Sequence, residues 1–111
     1  MSRTTAEILR DALAHFDIMQ DHAEQGFDDR LVIDAVCMRL SAGIEALAAL
    51  DPNVRKEIFG EAWPLMWGMR NRIAHGYLLV DTRIIDETLT HDIPSIMGLI
   101  RAYVGQQRVT P

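Results

Sequence analysis

Glu61-Ala62-Trp63-Pro64-Leu65-Met66-Trp67-Gly68-Met69-Arg70-Asn71-Arg72-Ile73-Ala74-His75-Gly76 reads as a helix with two apolar sides. At about 100° per residue, Ala62, Leu65, Met66, Met69 and Ile73 gather on one side, the predicted core face. Trp63, Trp67 and Ala74 fall on the other. Arg70 flanks them on one edge, Asn71 and His75 on the opposite edge. A surface helix is normally polar opposite its core stripe. Two tryptophans and an alanine in that place predict a helix that meets the core on one side and another subunit on the other.

The flanking sequence is helical as well. Leu9, Ala12, Leu13, Phe16, Met19 and Ala23 recur at spacings of three and four, which predicts a first helix over 4–24, ended by Gly26. Asp28 or Asp29 caps a second helix running to about Leu50, with core stripe Ile33, Val36, Cys37, Leu40, Ile44 and Leu47. Asp51-Pro52-Asn53 turns into a short helix ending at Phe59, and Gly60 stops it. Residues 61–75 form the next predicted helix, with Gly76 a candidate C-terminal cap. From Asp81 the stripe Ile85, Leu89, Ile93, Ile96, Ile100 and Val104 crosses Pro94 without losing phase. That allows one long helix kinked at Pro94, or two short ones with Asp92 capping the second. No β-type alternation, repeat or low-complexity segment interrupts the pattern. The expected fold is all-α: an antiparallel up-and-down bundle of four to five helices, one domain over residues 1–111, with 106–111 a loose tail.

Composition narrows the partners. The 111 residues suffice for one core. Net charge is −5, with ten arginines and a single lysine, Lys56. An acidic chain lacks the broad basic face that usually binds nucleic acid, so any RNA contact must be local. Arginine's planar fork suits such a local phosphate contact better than lysine does. Cys37 is alone, lies in an apolar run, and reads as a buried thiol. The N-terminus leads straight into a helix with no secretory signal, and no 18-residue apolar stretch spans a membrane. The expected location is the cytoplasm.

Arg70, Asn71 and His75 are the candidate site. Histidine can pass protons near neutral pH, and arginine can hold a phosphate and stabilise charge growing on it. An amide can orient either one. The set suits RNA phosphodiester cleavage by the neighbouring 2′-hydroxyl, which requires no metal. Arg70 and His75 stand five apart, about 140° around an ideal helix. Arginine's reach, a distorted last turn near Gly76, or a partner chain would have to bring them together. By spacing alone, an Arg and a His on one helix are ordinarily solvated surface residues. His15 and His22, roughly 10 Å apart along one helix face, are too distant to share a metal. No metal site and no cofactor are expected. Glu45 reads as a structural partner for an arginine, Arg72 as either a second phosphate contact or a surface charge.

Gly68-Met69-Arg70-Asn71-Arg72-Ile73-Ala74-His75-Gly76-Tyr77 resembles the signature of the HEPN superfamily: Arg, a polar residue, three variable residues, His. Its His-x-Tyr extension resembles the HepT-like branch. Pro64 and Trp67 before the motif, Val80-Asp81 after it and His91-Asp92-Ile93-Pro94 also resemble that branch. Gly43-Ile44-Glu45-Ala46 is similar to its Gly-Glu-Ala segment, with one extra residue between Gly and Glu. The resemblance implies a helical bundle that dimerises through the motif helix and cuts RNA at the shared cleft without metal. It implies Arg70 and His75 as the catalytic pair, with Asn71 supporting them. It also implies a partner, a minimal nucleotidyltransferase antitoxin of the MntA type, that attaches AMP to the motif tyrosine, here Tyr77. The expected dimer contact is Trp63, Trp67 and Ala74. The competing expectation is a non-catalytic HEPN module that binds nucleotide or positions a nucleotidyltransferase's substrate.

Overall fold

Thr4 opens α1 (Thr5–Ala23) with a reciprocal cap: its side chain accepts from the Glu7 amide, and the Glu7 carboxylate accepts from the Thr4 amide. Asp29, Asp51 and Asp81 cap α2 (Arg30–Leu47), α3 (Pro52–Phe59) and α5 (Thr82–Glu87), each accepting from the amide two residues on. Such oxygens satisfy amides that a helix start leaves unpaired. α4 spans Ala62–Gly76 and α6 spans Ile93–Val109. This computed structural model describes residues 3–76 and 81–109, and all regular structure among them is helical. Gly60, at φ 55°, takes the left-handed conformation that separates α3 from α4.

The core has α2 at its centre. Val36, Cys37, Leu40, Ile44 and Leu47 are buried, and Leu9, Ala12, Phe16 and Met19 of α1 lie with them in one cluster. Gly43 sets the approach of the two helices. A β-carbon there would fall on the ring of Phe16, so only glycine lets α2 lie this close. α4 packs against another side of α2, and α6 closes the cluster with Ile96, Met97 and Ile100. The bundle is elongated, 48 × 27 × 25 Å.

Two elements differ from the sequence expectation. The last helix is one continuous path, but through a π turn, Thr88–Asp92, rather than a simple kink or a fresh start capped by Asp92. The Ile93 amide donates to the carbonyl of Thr88, five residues back. Pro94 would otherwise press its ring on the carbonyl four residues before it, and a wider turn relieves that clash. Thr88 and Thr90 turn their hydroxyls back to the carbonyls of Ile84 and Asp86, both at 2.8 Å. The second difference lies in α4. Leu65, expected in the core, is 78% exposed, whereas Trp63 and Trp67 are half-buried and pack against the core. The reason is α3: Phe59 meets Trp63 with ring centroids 6.5 Å apart, which draws the tryptophan edge inward and turns Leu65 out. α6 continues past Gln106, the expected start of a loose tail, to Val109.

Candidate active site on the motif helix

α4 carries Arg70, Asn71, Arg72, Ala74 and His75, and the structure treats them very differently. Arg70 is held. Its Nη2 donates to Glu45 Oε1 of α2 at 3.3 Å, and its Nη1 donates to Asn71 Oδ1 at 3.1 Å. Its guanidinium carbon lies 4.8 Å over the Trp67 ring, and its Nε is buried without a hydrogen-bond partner. Only 22% of the side chain is exposed, against 59% of Glu45. Glu45 is therefore the partner of an arginine, as the sequence suggests, and Asn71 orients that same arginine.

His75 is the reverse. It is exposed in the last turn of α4, and it forms no hydrogen bond or ion pair with the other described residues. α4 stays α-helical through Gly76, so no distorted turn swings His75 toward Arg70. Arg70's reach is committed to Glu45 and Asn71. Neither Arg70's reach nor a distorted last turn joins the pair in this structure.

Arg72 is exposed on the far side of α4, where it lines a shallow groove with Leu65, Ile84, Glu87 and His91. Of the expected contact residues, Ala74 is exposed, while Trp63 and Trp67 are half-buried and stack on each other. Tyr77 lies outside the described residues. Beside Arg70, a shallow depression is lined by Cys37, Met38, Ser41, Glu45 and Ile73, and Met38 is 71% exposed at its edge. An apolar cavity of about 200 Å³ between α4 and α6 is lined by Ile44, Met66, Met69, Ile93 and Ile96, and contains none of the motif's polar residues.

Arg55 went unnoticed in the sequence. Its guanidinium carbon lies 4.6 Å over Trp63. No periodic signal marks it, because the contact joins two helices. Burial pushes the Cys37 thiol up, helped by the nearby Asp34 carboxylate, which fits an inert core thiol. Among the described residues, no group of three or more His, Cys, Asp or Glu side chains could hold a metal ion, and no helix is long and apolar enough to cross a membrane.

Residues 7–103 match the family described as Ribonuclease HepT-like. The chain belongs to the HepT-like ribonuclease family. The match takes in most of α1, all of α2 to α5, the π turn and most of α6, so the HepT-like frame includes both Glu45 and the whole of α4. No curated protein and no solved structure matches the chain.

Proposed function

We propose that this HepT-like chain is a metal-independent endoribonuclease that works as a dimer, with Arg70 and His75 as the catalytic pair. The observation that carries the reading is the contrast on α4 of an arginine fixed by Glu45 and Asn71 with an exposed histidine that has no hydrogen-bond or ion-pair partner among the described residues. Each terminal nitrogen of Arg70 carries two N–H groups, so each keeps one for a phosphate. In the cleavage step His75 accepts the proton of a 2′-hydroxyl. The O2′–P bond forms as the P–O5′ bond breaks, and an imidazolium returns a proton to the leaving 5′-oxygen. The products are a 2′,3′-cyclic phosphate end and a 5′-hydroxyl end. Arg70 offsets the negative charge that grows on phosphorus-bound oxygen.

A second copy supplies what one chain lacks. Within a protomer Arg70 is turned to α2 and His75 to solvent. A two-fold contact over exposed Ala74 and Met38 would set the His75 of one copy beside the Arg70 of the other. As a HepT-like protein, the chain fits the toxin of a type VII-like toxin–antitoxin pair, with an MntA-type nucleotidyltransferase as antitoxin and AMP attachment to Tyr77 as the silencing step. A negatively charged phosphate there would compete with RNA for the same arginine.

RNA cleavage by the full chain in EDTA tests the proposal. Arg70→Ala and His75→Ala should each lower cutting by about a thousand-fold or more at unchanged helical content. Undiminished cutting by both variants would overturn it, and would favour a non-catalytic nucleotide-binding or nucleotidyltransferase-associated module. In co-expression with the cognate nucleotidyltransferase, Tyr77→Phe should stay toxic and gain no mass of AMP.

A further inference from the structure

Arg70 is held from two directions, and the second is a stack of rings. Arg55 of α3 donates from Nη1 to the carbonyls of Ala48, at 3.1 Å, and Leu50, at 3.3 Å, where α2 ends. The same guanidinium covers Trp63. Trp63 stacks on Trp67 at 5.6 Å between centroids, with 27° between ring planes. Trp67 in turn carries Arg70. Arg70 returns to α2 through Glu45. The chain of contacts is a closed brace: it leaves α2 at its carbonyl end, crosses α3 and α4, and rejoins α2 at Glu45.

We propose that Trp67, backed by Trp63 and Arg55, is a positioning residue that fixes the Arg70 guanidinium for phosphate. The inference rests on Arg70 being the catalytic arginine of the function proposed above. Two observations separate this role from ordinary packing. First, Arg70 Nε is buried with no oxygen acceptor, a state that is costly unless something compensates. The indole under the guanidinium offers its negative π face instead. Second, the Glu45 contact alone is a weak anchor, because Glu45 is 59% exposed and an exposed ion pair contributes little. A long arginine side chain held only there would sample other rotamers. A flat ring beneath the fork restricts it to one plane, and each terminal nitrogen keeps one N–H for a phosphate. A leucine at position 67 would be apolar and smaller, and would offer no such face.

The test uses the full-length chain with Trp67→Leu, Trp67→Phe and Arg55→Gln, read by steady-state RNA cleavage and by the Arg70 Nε–H signal in ¹H–¹⁵N spectra. That signal is assigned by its loss in Arg70→Lys. Trp67→Leu should lower kcat by about three- to thirty-fold, the range a cation–π contact accounts for, with KM within about two-fold. Trp67→Phe should restore most of that loss. Arg55→Gln, remote from the cleft, should cost a smaller factor of the same kind. The Arg70 Nε–H should resonate upfield in the parent, under the ring current, and lose that shift in Trp67→Leu. A folded Trp67→Leu with parental kcat, or an Nε–H shift unchanged by it, overturns the proposal. Should Trp67→Leu fail to fold, Arg55→Gln decides, and parental kcat with an unmoved Nε–H signal refutes the brace. Should the parent chain cut no RNA, the proposed function fails, and the spectrum alone then decides whether Trp67 fixes Arg70.

Discussion

The molecule holds two arginine–histidine pairs built on opposite plans. Arg39 of α2 and His15 of α1 touch across the helix interface, with Arg39 Nη1 3.2 Å from His15 Nδ1. Arg70 and His75 share one helix and do not touch. In the first pair the ring nitrogen facing the guanidinium must act as acceptor, so a proton arriving there breaks the contact and sets two cations together. Desolvation by burial, and then the Arg39 charge, hold the His15 pKa below its ordinary value. A proton on that histidine is therefore disfavoured in the folded chain. His75 is exposed and has no guanidinium against it among the described residues. The comparison teaches that the same two residue types make a closed structural contact where packing joins them, and leave both side chains open to a third group where it does not.

The largest effect should come from asking whether the separated pair is completed by a second copy. Arg70→Ala and His75→Ala chains, each inactive alone, are unfolded together and refolded. A site built from Arg70 of one protomer and His75 of the other leaves one intact site in each mixed dimer. Activity should return to about a quarter of the parental level, since about half of the dimers are mixed and each has one of two sites. No recovery at all would mean that each chain builds its own site and that Arg70 moves to His75 on binding RNA.

The touching pair depends on the close approach of α1 and α2, and Gly43 tests it. Gly43→Ala would put a methyl group on the Phe16 ring and push the helices apart. Urea unfolding should show a loss of about 1–3 kcal/mol, the usual cost of overpacking. An unchanged midpoint would mean that the α1–α2 interface gives way freely, and the Arg39–His15 contact could not then be regarded as fixed.

The smallest effect is the pH dependence of that contact. His15 is lowered in the folded chain, so the unfolded chain binds its proton more readily. Its contribution to stability is present above about pH 6.5, the ordinary histidine value, and is lost as pH falls toward the lower folded value. The melting temperature should fall between about pH 7 and pH 5, and His15→Gln should make that part of the curve flatter. Identical slopes for parent and variant would show that the acid sensitivity lies elsewhere.

Much of this arrangement is written locally in the chain. The capping aspartates, the stripes of α1 and α2 and the apolar phase across Pro94 depend on residues within a turn or two of one another, so periodicity finds them. The resemblance at Arg70, Asn71 and His75 supplies the candidate site in the same local way. What it cannot supply is direction. An isolated wheel of α4 gives Leu65 and the tryptophans equal claim to the core, and only the docking of Phe59 against Trp63 decides between them. Arg55 escapes for the same reason, since its partners lie on α2 and α4. Glu45 is foreseen as an arginine's partner, but which arginine it holds follows from the packing of α2 on α4.

The π turn at Thr88–Asp92 leaves a mark in the sequence itself. Ile85, Leu89 and Ile93 are spaced four and four, whereas Ile93, Ile96 and Ile100 return to three and four. Two successive fours overshoot an ordinary α-helical face by about 80°. They stay on one face here because the wide turn takes up the surplus. The helix in effect stores one spare residue ahead of Pro94. A chain one residue shorter at this point would run as plain α-helix into the proline with Ile96 and Ile100 still on the buried row. What it would lose is the wide turn, leaving the Pro94 ring against the carbonyl four residues before it. The spare residue serves the proline and leaves the phase of the helix beyond it unchanged.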